Sequence, residues 1–528
     1  MGSKRVLFIL IAIAILSLCL AWVSSGYISF REWGSFLAVT GLGVGILSLG
    51  WRTLRSESIP GWLGWLTIGA VFFRLIVGIF WFTTLPLWGH GTDGELAGYV
   101  MSDAYHRDTA AWELAQSGKP LLEAFRDYRS VDQYGGFLFI SSIIYRWLGG
   151  SSHKPLMMVV LSAAFSGLSI PYIWIFTRRL WGSTAAKVAA WVLFLYPEAV
   201  LLGSSQMREA VLMTFTCMVL YGLLVYWQDR RLSGILWVVG VLLLCLPISP
   251  LFALFLLGVI IATTLILSRF RILSNWSTWL IFGCLMLVVI GAVWLLGDRI
   301  YPNGASNPIT LIRDWLMYAA KWEERTAGIQ SGWMDKIFQR SPDWMNPWII
   351  LGYGTVQPFL PAALIATGNW MWRMIAIWRS IGWTLLLILL LYSPIRAIQN
   401  LRKQYIAVGF SVLVWAVILT SAYRSAGDQW DNPRYRVVFA GLQVALAGWV
   451  LAEQRLSHDP WLRRIFVGIG WVFAWFIPWY LRRYSATFTW PVVDLFKTVT
   501  LGLVSASLYW IWDWVREKEI HLKVGTKE

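Results

Sequence analysis

Uninterrupted apolar runs long enough to cross a lipid bilayer recur from one end of this chain to the other, and no other feature limits its fold so severely. Hydrocarbon offers no water to satisfy backbone N–H and C=O groups, so each run must be a helix or a strand of a closed barrel. The runs lack the period-2 alternation of a barrel strand, which predicts an all-α polytopic membrane protein. Composition agrees, with 58% hydrophobic and only 14% charged residues. Many of the 37 tryptophans sit at the edges of apolar runs (Trp22, Trp51, Trp62, Trp81, Trp227, Trp279, Trp479), where an amphipathic ring suits the headgroup layer.

About fourteen spans are expected, near 6–23, 36–51, 62–82, 156–177, 185–203, 208–227, 233–248, 250–267, 278–297, 378–395, 405–422, 437–453, 464–481 and 490–512. The first run is longer than the roughly 7–15-residue core of a signal peptide, so it reads as an anchor; cleavage would leave the downstream orientation unchanged. This layout puts Arg52/Arg55, Arg178/Arg179/Lys187, Arg230/Arg231, Arg269/Arg271, Arg396/Arg402/Lys403, Arg455/Arg463/Arg464 and the tail from Arg516 on one side. By the positive-inside rule that side is the cytoplasm, with both termini in it, and the membrane is the inner one. The net charge of +16 therefore serves orientation, and nucleic-acid binding is excluded. Cys19, Cys217, Cys245 and Cys284 all lie in apolar runs without metal-like spacing and read as small buried hydrophobes.

The charge pattern holds only if two moderately apolar stretches do not cross. Gln133–Gly149 reads as a helix lying in the outer interface, and Trp348–Ala366, broken by glycines and two prolines, as irregular or re-entrant backbone. Two long outer loops result, about 83–155 and 298–377, rich in Trp, Tyr, Asp and Arg and therefore expected to pack on the bundle and to carry function. The chain divides into residues 1–60 with two N-terminal helices, a core at 61–455, and C-terminal helices with a cytoplasmic tail at 456–528.

Chemistry concentrates in MSDAYHRDTAAWELAQSGKP, which follows the third span. Asp103 opens a helix expected to end at Gly118, and is either its cap or a carboxylate able to take a proton from a hydroxyl. Asp108 lies on the same helix, and Tyr105, His106 and Tyr134 are candidate substrate contacts. Asp132 shapes a pocket or caps the interfacial helix. With only His90 and His153 besides His106 in the outer loops, a metal triad has weak support, whereas an acidic pair such as Asp103/Asp108 has room for a divalent ion; metal stays unassigned. On the outer side Arg208, with Glu209 beside it, and Arg434 and Arg436, with Tyr435 between them, run against the charge bias. Arg74, inside an apolar run, must find a partner or reach headgroups, since an unpaired charge there costs about 2.5–3.5 kcal/mol. Arg313, Lys321, Glu323 and Glu324 read as a solvated amphipathic face.

The ordered set VFFRLIVGIFWF, the loop with its early Asp before an amphipathic helix, the Tyr/Gly-rich helix, TRRLWGSTAAKVAAWVLFLYPEAVLLGSSQMREAVLMTF and DQWDNPRYRVVFAGLQVALAGW resembles the GT-C superfamily of integral-membrane glycosyltransferases. The likeness runs over roughly 60–455 and is nearest to bacterial enzymes similar to protein mannosyltransferases and aminoarabinose transferases. The chain departs in its two extra N-terminal helices and in SDAY, where many relatives carry Asp followed by Glu. The resemblance implies a polyprenyl-phosphate-sugar donor, a lipid, glycan or protein acceptor, Asp103 as catalytic base, alone or with Asp108, and outer-face arginines on the carrier phosphate. Some members use a divalent metal and others none. Physical logic points the same way. Nucleotide sugars are not supplied outside the cytoplasm, so an outward-facing transferase needs a sugar on a flipped lipid, and the leaving phosphate calls for guanidinium groups. The rival readings are a polymerase or ligase of lipid-linked glycans and a transporter or flippase, although a transporter would show paired halves and charges mid-membrane.

Overall fold

The computed structural model describes residues 3–525 apart from 129, 151, 270–275, 296–306, 308, 315–316, 318–331, 400, 402–403, 426 and 458. Arg271, Lys321, Glu323, Glu324, Arg402 and Lys403 lie outside the described residues. All regular structure among the described residues is helical. The helices are α1 (Ser3–Ser25), α2 (Phe30–Thr53), α3 (Gly61–Trp88), α4 (Asp93–Leu96), α5 (Ser102–Gln116), α6 (Gly136–Leu148), α7 (Pro155–Leu195), α8 (Pro197–Gly203), α9 (Arg208–Asp229), α10 (Ser233–Ile248), α11 (Pro250–Leu267) and α12 (Trp276–Leu295). They continue with α13 (Gly332–Arg340), α14 (Asn346–Val356), α15 (Leu360–Ile365), α16 (Trp370–Gln399), α17 (Tyr405–Arg424), α18 (Asp431–Val437), α19 (Ala440–Ser457), α20 (Trp461–Tyr484) and α21 (Leu495–Gly525).

The protein is an all-α polytopic membrane protein. Nine described helices have the length and apolarity to cross a bilayer, and the pair α18–α19, bent by 74°, adds another. Every expected span coincides with a helix, because α7 is two passes and the shorter apolar helices in α1, α10 and α12 occupy the remaining positions. Within α7 the helix breaks at Gly182, whose φ of 86° and ψ of 177° suit glycine alone. The two halves then run back along each other. Arg74 of α3 donates from Nε to Ser166 Oγ (2.7 Å) in the first half and from Nη2 to the Leu193 carbonyl (3.3 Å) in the second.

Arg74 is fully buried, and its third bond goes to the Ala70 carbonyl (3.2 Å), so neutral oxygens satisfy it instead of the carboxylate or headgroup expected. A guanidinium with five N–H groups thereby cross-links three helix segments in hydrocarbon. α7 and α9 form the centre of the bundle, with 94% and 89% of their most apolar stretches buried, whereas the α20–α21 hairpin, at 22% and 17%, faces outward. The hairpin is closed by Arg464, which donates to Asp513 (2.8 Å) and Glu517 (2.5 Å).

The loops expected on the basic side meet at one end of the bundle. Buried Glu57 accepts from both Arg178 and Arg179, Arg179 reaches Asp229 (3.0 Å), and Arg396 reaches Glu453 (3.1 Å). α4, α5 and α6 gather at the opposite, loop end. α6 has 13 residues, about 20 Å of helix, too short for a bilayer core of about 30 Å. The stretch after Trp348 is two short helices, α14 and α15, parted by a cis Gln357–Pro358 bond. It is wedged into the bundle: Trp383 donates from Nε1 to the Thr355 carbonyl (3.0 Å), and Phe359 packs on Phe473 and Phe476. α16 starts eight residues before the expected span, since WMWRMIAI continues the helix beyond its apolar core, with Arg373 donating to the Leu364 carbonyl (2.5 Å).

Candidate functional site

The site is assembled at the loop end from α5, α6, the start of α9, and α18. α5 begins after Met101, which makes no side-chain cap bond, so Asp103 does not cap the helix. Its carboxylate is 56% exposed and accepts from Arg434 Nη1 at 3.0 Å, joining positions 331 residues apart. Arg434 gathers two further acids: Nη1 also reaches Asp431 (3.1 Å) and Nη2 reaches Glu209 (3.2 Å). Burial works against the charge on Arg434, but Glu209, Asp431 and Asp103 outweigh it and hold its pKa above the ordinary value. Burial raises the Asp431 carboxyl, with Arg434 opposing. Two buried polar atoms in this cluster have no partner, Arg434 Nε and Glu209 Oε2.

Beside it lies a second guanidinium. Arg208 is four-fifths buried over the Tyr134 ring (5.3 Å), with Asp132 Oδ1 at 3.5 Å and Glu209 Oε1 at 3.9 Å as its nearest carboxylate oxygens. Asp132 is occupied, accepting from the Leu138 N–H (3.1 Å) at the start of α6 and from the Tyr134 N–H (3.5 Å), so it acts as the cap that the sequence allowed. Burial pushes the Tyr134 hydroxyl up to about 12. Arg107 is a residue that sequence reasoning missed. It is buried, donates to the Gln206 carbonyl (2.8 Å), lies over Phe137 (5.1 Å), and ties α5 to the turn before α9. Burial lowers its pKa, and Asp132 partly restores it.

The other expected residues separate. Asp108 lies five residues beyond Asp103, about 140° around the helix. There it is buried, and Oδ2 accepts from the Tyr99 hydroxyl (2.7 Å), the Tyr145 hydroxyl (2.7 Å) and His153 Nε2 (3.1 Å). Tyr105 and exposed His106 pack on each other (5.2 Å) beside Asp103. Arg434 and Arg436 do not form a pair. α18 is a helix, on which two residues apart means roughly 200° apart, so Arg436 points into the core. It is fully buried, stacks on Trp383 (3.3 Å) and donates to the Gln357 carbonyl (2.7 Å), while Tyr435 receives Arg424 over its ring (5.4 Å).

Arg379 and Glu198 also escaped the sequence reading. They form a buried ion pair (2.8 Å) next to Trp430, and the rule applied to Arg74, a charge inside an apolar run, would have found Arg379. Glu95 accepts from Trp372 Nε1 (2.7 Å) and the His90 N–H (2.8 Å), which anchors the loop before α5 onto α16.

No group of three or more His, Cys, Asp and Glu among the described residues is arranged to hold a metal ion. The three carboxylates that do converge do so on the Arg434 guanidinium, whose positive charge occupies the point between them, so this cluster does not fit a divalent ion as it stands. An apolar cleft lined by Tyr226, Trp227, Val238, Ile260 and Phe282 lies toward the basic end, about 27 Å along α9 from Arg208, too far to share the chemistry.

No family model and no curated protein matches the chain. Among solved structures it is similar to the archaeal oligosaccharyltransferase AglB from Archaeoglobus fulgidus, determined with an inhibitory peptide and a dolichol-phosphate, at 13% identity and a TM-score of 0.38. The superposition covers 86% of this chain and 56% of that one, so the chain spans little more than half of its length.

Proposed function

We propose that this protein is a GT-C-like membrane glycosyltransferase that moves a sugar from a polyprenyl-phosphate carrier to an acceptor hydroxyl at the extracytoplasmic face. One observation carries the reading: an exposed carboxylate, Asp103, gripped by the mostly buried Arg434 at the end of the bundle away from the basic loops. The basic loops then face the cytoplasm, and the site faces a compartment where only lipid-linked sugars are at hand.

In the reaction the acceptor oxygen attacks the anomeric carbon, the bond from that carbon to the phosphate oxygen breaks, and the electron pair leaves with the lipid phosphate. The hydroxyl proton goes to Asp103. Arg208 and Arg434 stand where guanidinium N–H groups meet the charge that grows on the leaving phosphate. Tyr105 and His106, beside the carboxylate on α5, and Tyr134, beneath Arg208, are the proposed sugar or acceptor contacts. Asp108, Arg107 and Arg436 hold the helices that present these groups.

The test is turnover of purified protein with a panel of polyprenyl-phosphate sugars and lipid, glycan and peptide acceptors. Asp103→Asn is expected to lose about 10²–10⁴-fold in rate while keeping its fold, the range general-base removal gives. Undiminished turnover in that variant overturns the assignment of the base, and transport without sugar transfer overturns the class.

A further inference from the structure

Arg434 is overcommitted as it stands. Three carboxylates share two of its nitrogens, Nη1 serving both Asp103 and Asp431, while its buried Nε has no partner. Arg208, next to it, shows the opposite imbalance. It makes no hydrogen bond to a protein acceptor among the described residues, its closest carboxylate oxygens being 3.5 and 3.9 Å away. Glu209 lies between the two, with Oε1 turned to both guanidiniums and Oε2 buried and unpartnered. Taken together, the cluster sets Arg107, Arg208, Arg424 and Arg434 against Asp103, Asp132, Glu209, Asp428 and Asp431, one more acid than base. A phosphate entering it meets repulsion unless an acid withdraws.

The three acids on Arg434 differ in how freely they can leave. Glu209 is 6% exposed and Asp431 32%, but Asp103 is 56% exposed and sits at the first turn of α5, where a released carboxylate passes directly into water. Withdrawal costs little there, since water solvates the freed carboxylate and ion pairs with a solvent-exposed partner are weak.

We infer that the Asp103–Arg434 contact is a resting latch: the phosphate of the donor lipid seats between Arg208 and Arg434, takes Asp103's place on Nη1, and so frees the base. This rests on the transferase reading above and adds an order to it, donor before acceptor. While Arg434 occupies Oδ2, an acceptor hydroxyl finds the carboxylate engaged. Once phosphate holds the guanidinium, both oxygens of Asp103 are available, and the acceptor proton has its destination only when a leaving group is already in place.

The latch makes a prediction opposite in sign to a plain base. Binding of a short-chain prenyl phosphate to the full-length protein in detergent is measured by calorimetry for wild type, Asp103→Asn and Glu113→Gln, the last removing an exposed acid farther along α5. Asp103→Asn is expected to bind about 1.4- to fivefold more tightly, the range such an ion pair converts to. Glu113→Gln is expected to leave affinity unchanged. Equal or weaker binding by Asp103→Asn, or equal tightening by Glu113→Gln, overturns the latch. Tighter binding with retained turnover keeps the latch and removes the base, whereas no binding of prenyl phosphate to any of the proteins overturns both.

Discussion

Replacing Arg434 by Met tests the electrostatics of the site without invoking any substrate. Two of its three contacts are with acids that are 56% and 32% exposed and are worth at most about 1 kcal/mol each. The third is different. Glu209 is 6% exposed, Oε2 has no partner, and its one short contact is to Arg434 Nη2. With the guanidinium gone, the acid either stays ionised and buried, costing about 3–5 kcal/mol, or takes up a proton. Protonating a glutamate of ordinary pKa near 4.3 at pH 7 costs about 3.7 kcal/mol at 1.36 kcal/mol per unit, so the cheaper route caps the loss near that figure. The pH dependence follows. In the variant the buried Glu209 loses its largest opposing charge and keeps Arg208 at 3.9 Å as its nearest cation; where burial then prevails its folded pKa lies above the unfolded one, the folded state binds more protons, and stability falls as pH rises above about 4.3. Arg434→Met is therefore expected to be about 3–4 kcal/mol less stable than wild type at pH 7 and only about 1 kcal/mol less at pH 5, read from unfolding in mixed detergent and SDS micelles. The double variant with Glu209→Gln is expected to recover most of the loss. A variant as stable as wild type at pH 8, or a double variant no better than the single one, refutes the claim that Arg434 is what Glu209 depends on.

Two further outcomes probe the scaffold. Lys154 and Glu32 form a buried pair (2.7 Å) that fastens the start of α2 to the start of α7, so Lys154→Met is expected to cost about 3–5 kcal/mol in the same assay, with recovery in combination with Glu32→Gln. Gly136→Ala places a methyl group on the Pro247 carbonyl, backbone that cannot yield cheaply; a loss of about 1–3 kcal/mol and a weakened α6 seat are expected, seen as faster proteolysis of the loop between α5 and α6.

What the sequence determined by itself was the helices and their polarity. Long apolar runs without period-2 alternation have one solution in hydrocarbon, so the span positions, the clustering of the basic loops and the failure of Gln133–Gly149 and Trp348–Ala366 to form full-length spans were all legible. Even the reversal at Gly182 fell between two expected spans. Individual charged residues stood out for the same reason, because an ionised group in or beside an apolar run is expensive and must have a partner.

Their partners were not legible. Arg74 found a serine and two carbonyls, and Arg379 found Glu198, because close approach of helices far apart in sequence decides which oxygen lies within reach. DNPRYR read as a loop, which left Arg434 and Arg436 free to act together. Packed against α17, α8 and α9 it is a helix, and one residue's turn of about 100° per step sent one guanidinium to Asp103 and the other into the core. Likewise Asp103 and Asp108 shared a helix in the sequence, but only the surroundings, open mouth on one face and two tyrosines with a histidine on the other, separated an available carboxylate from an occupied one. Local pattern records what a residue needs; the fold supplies it from segments that the pattern does not connect.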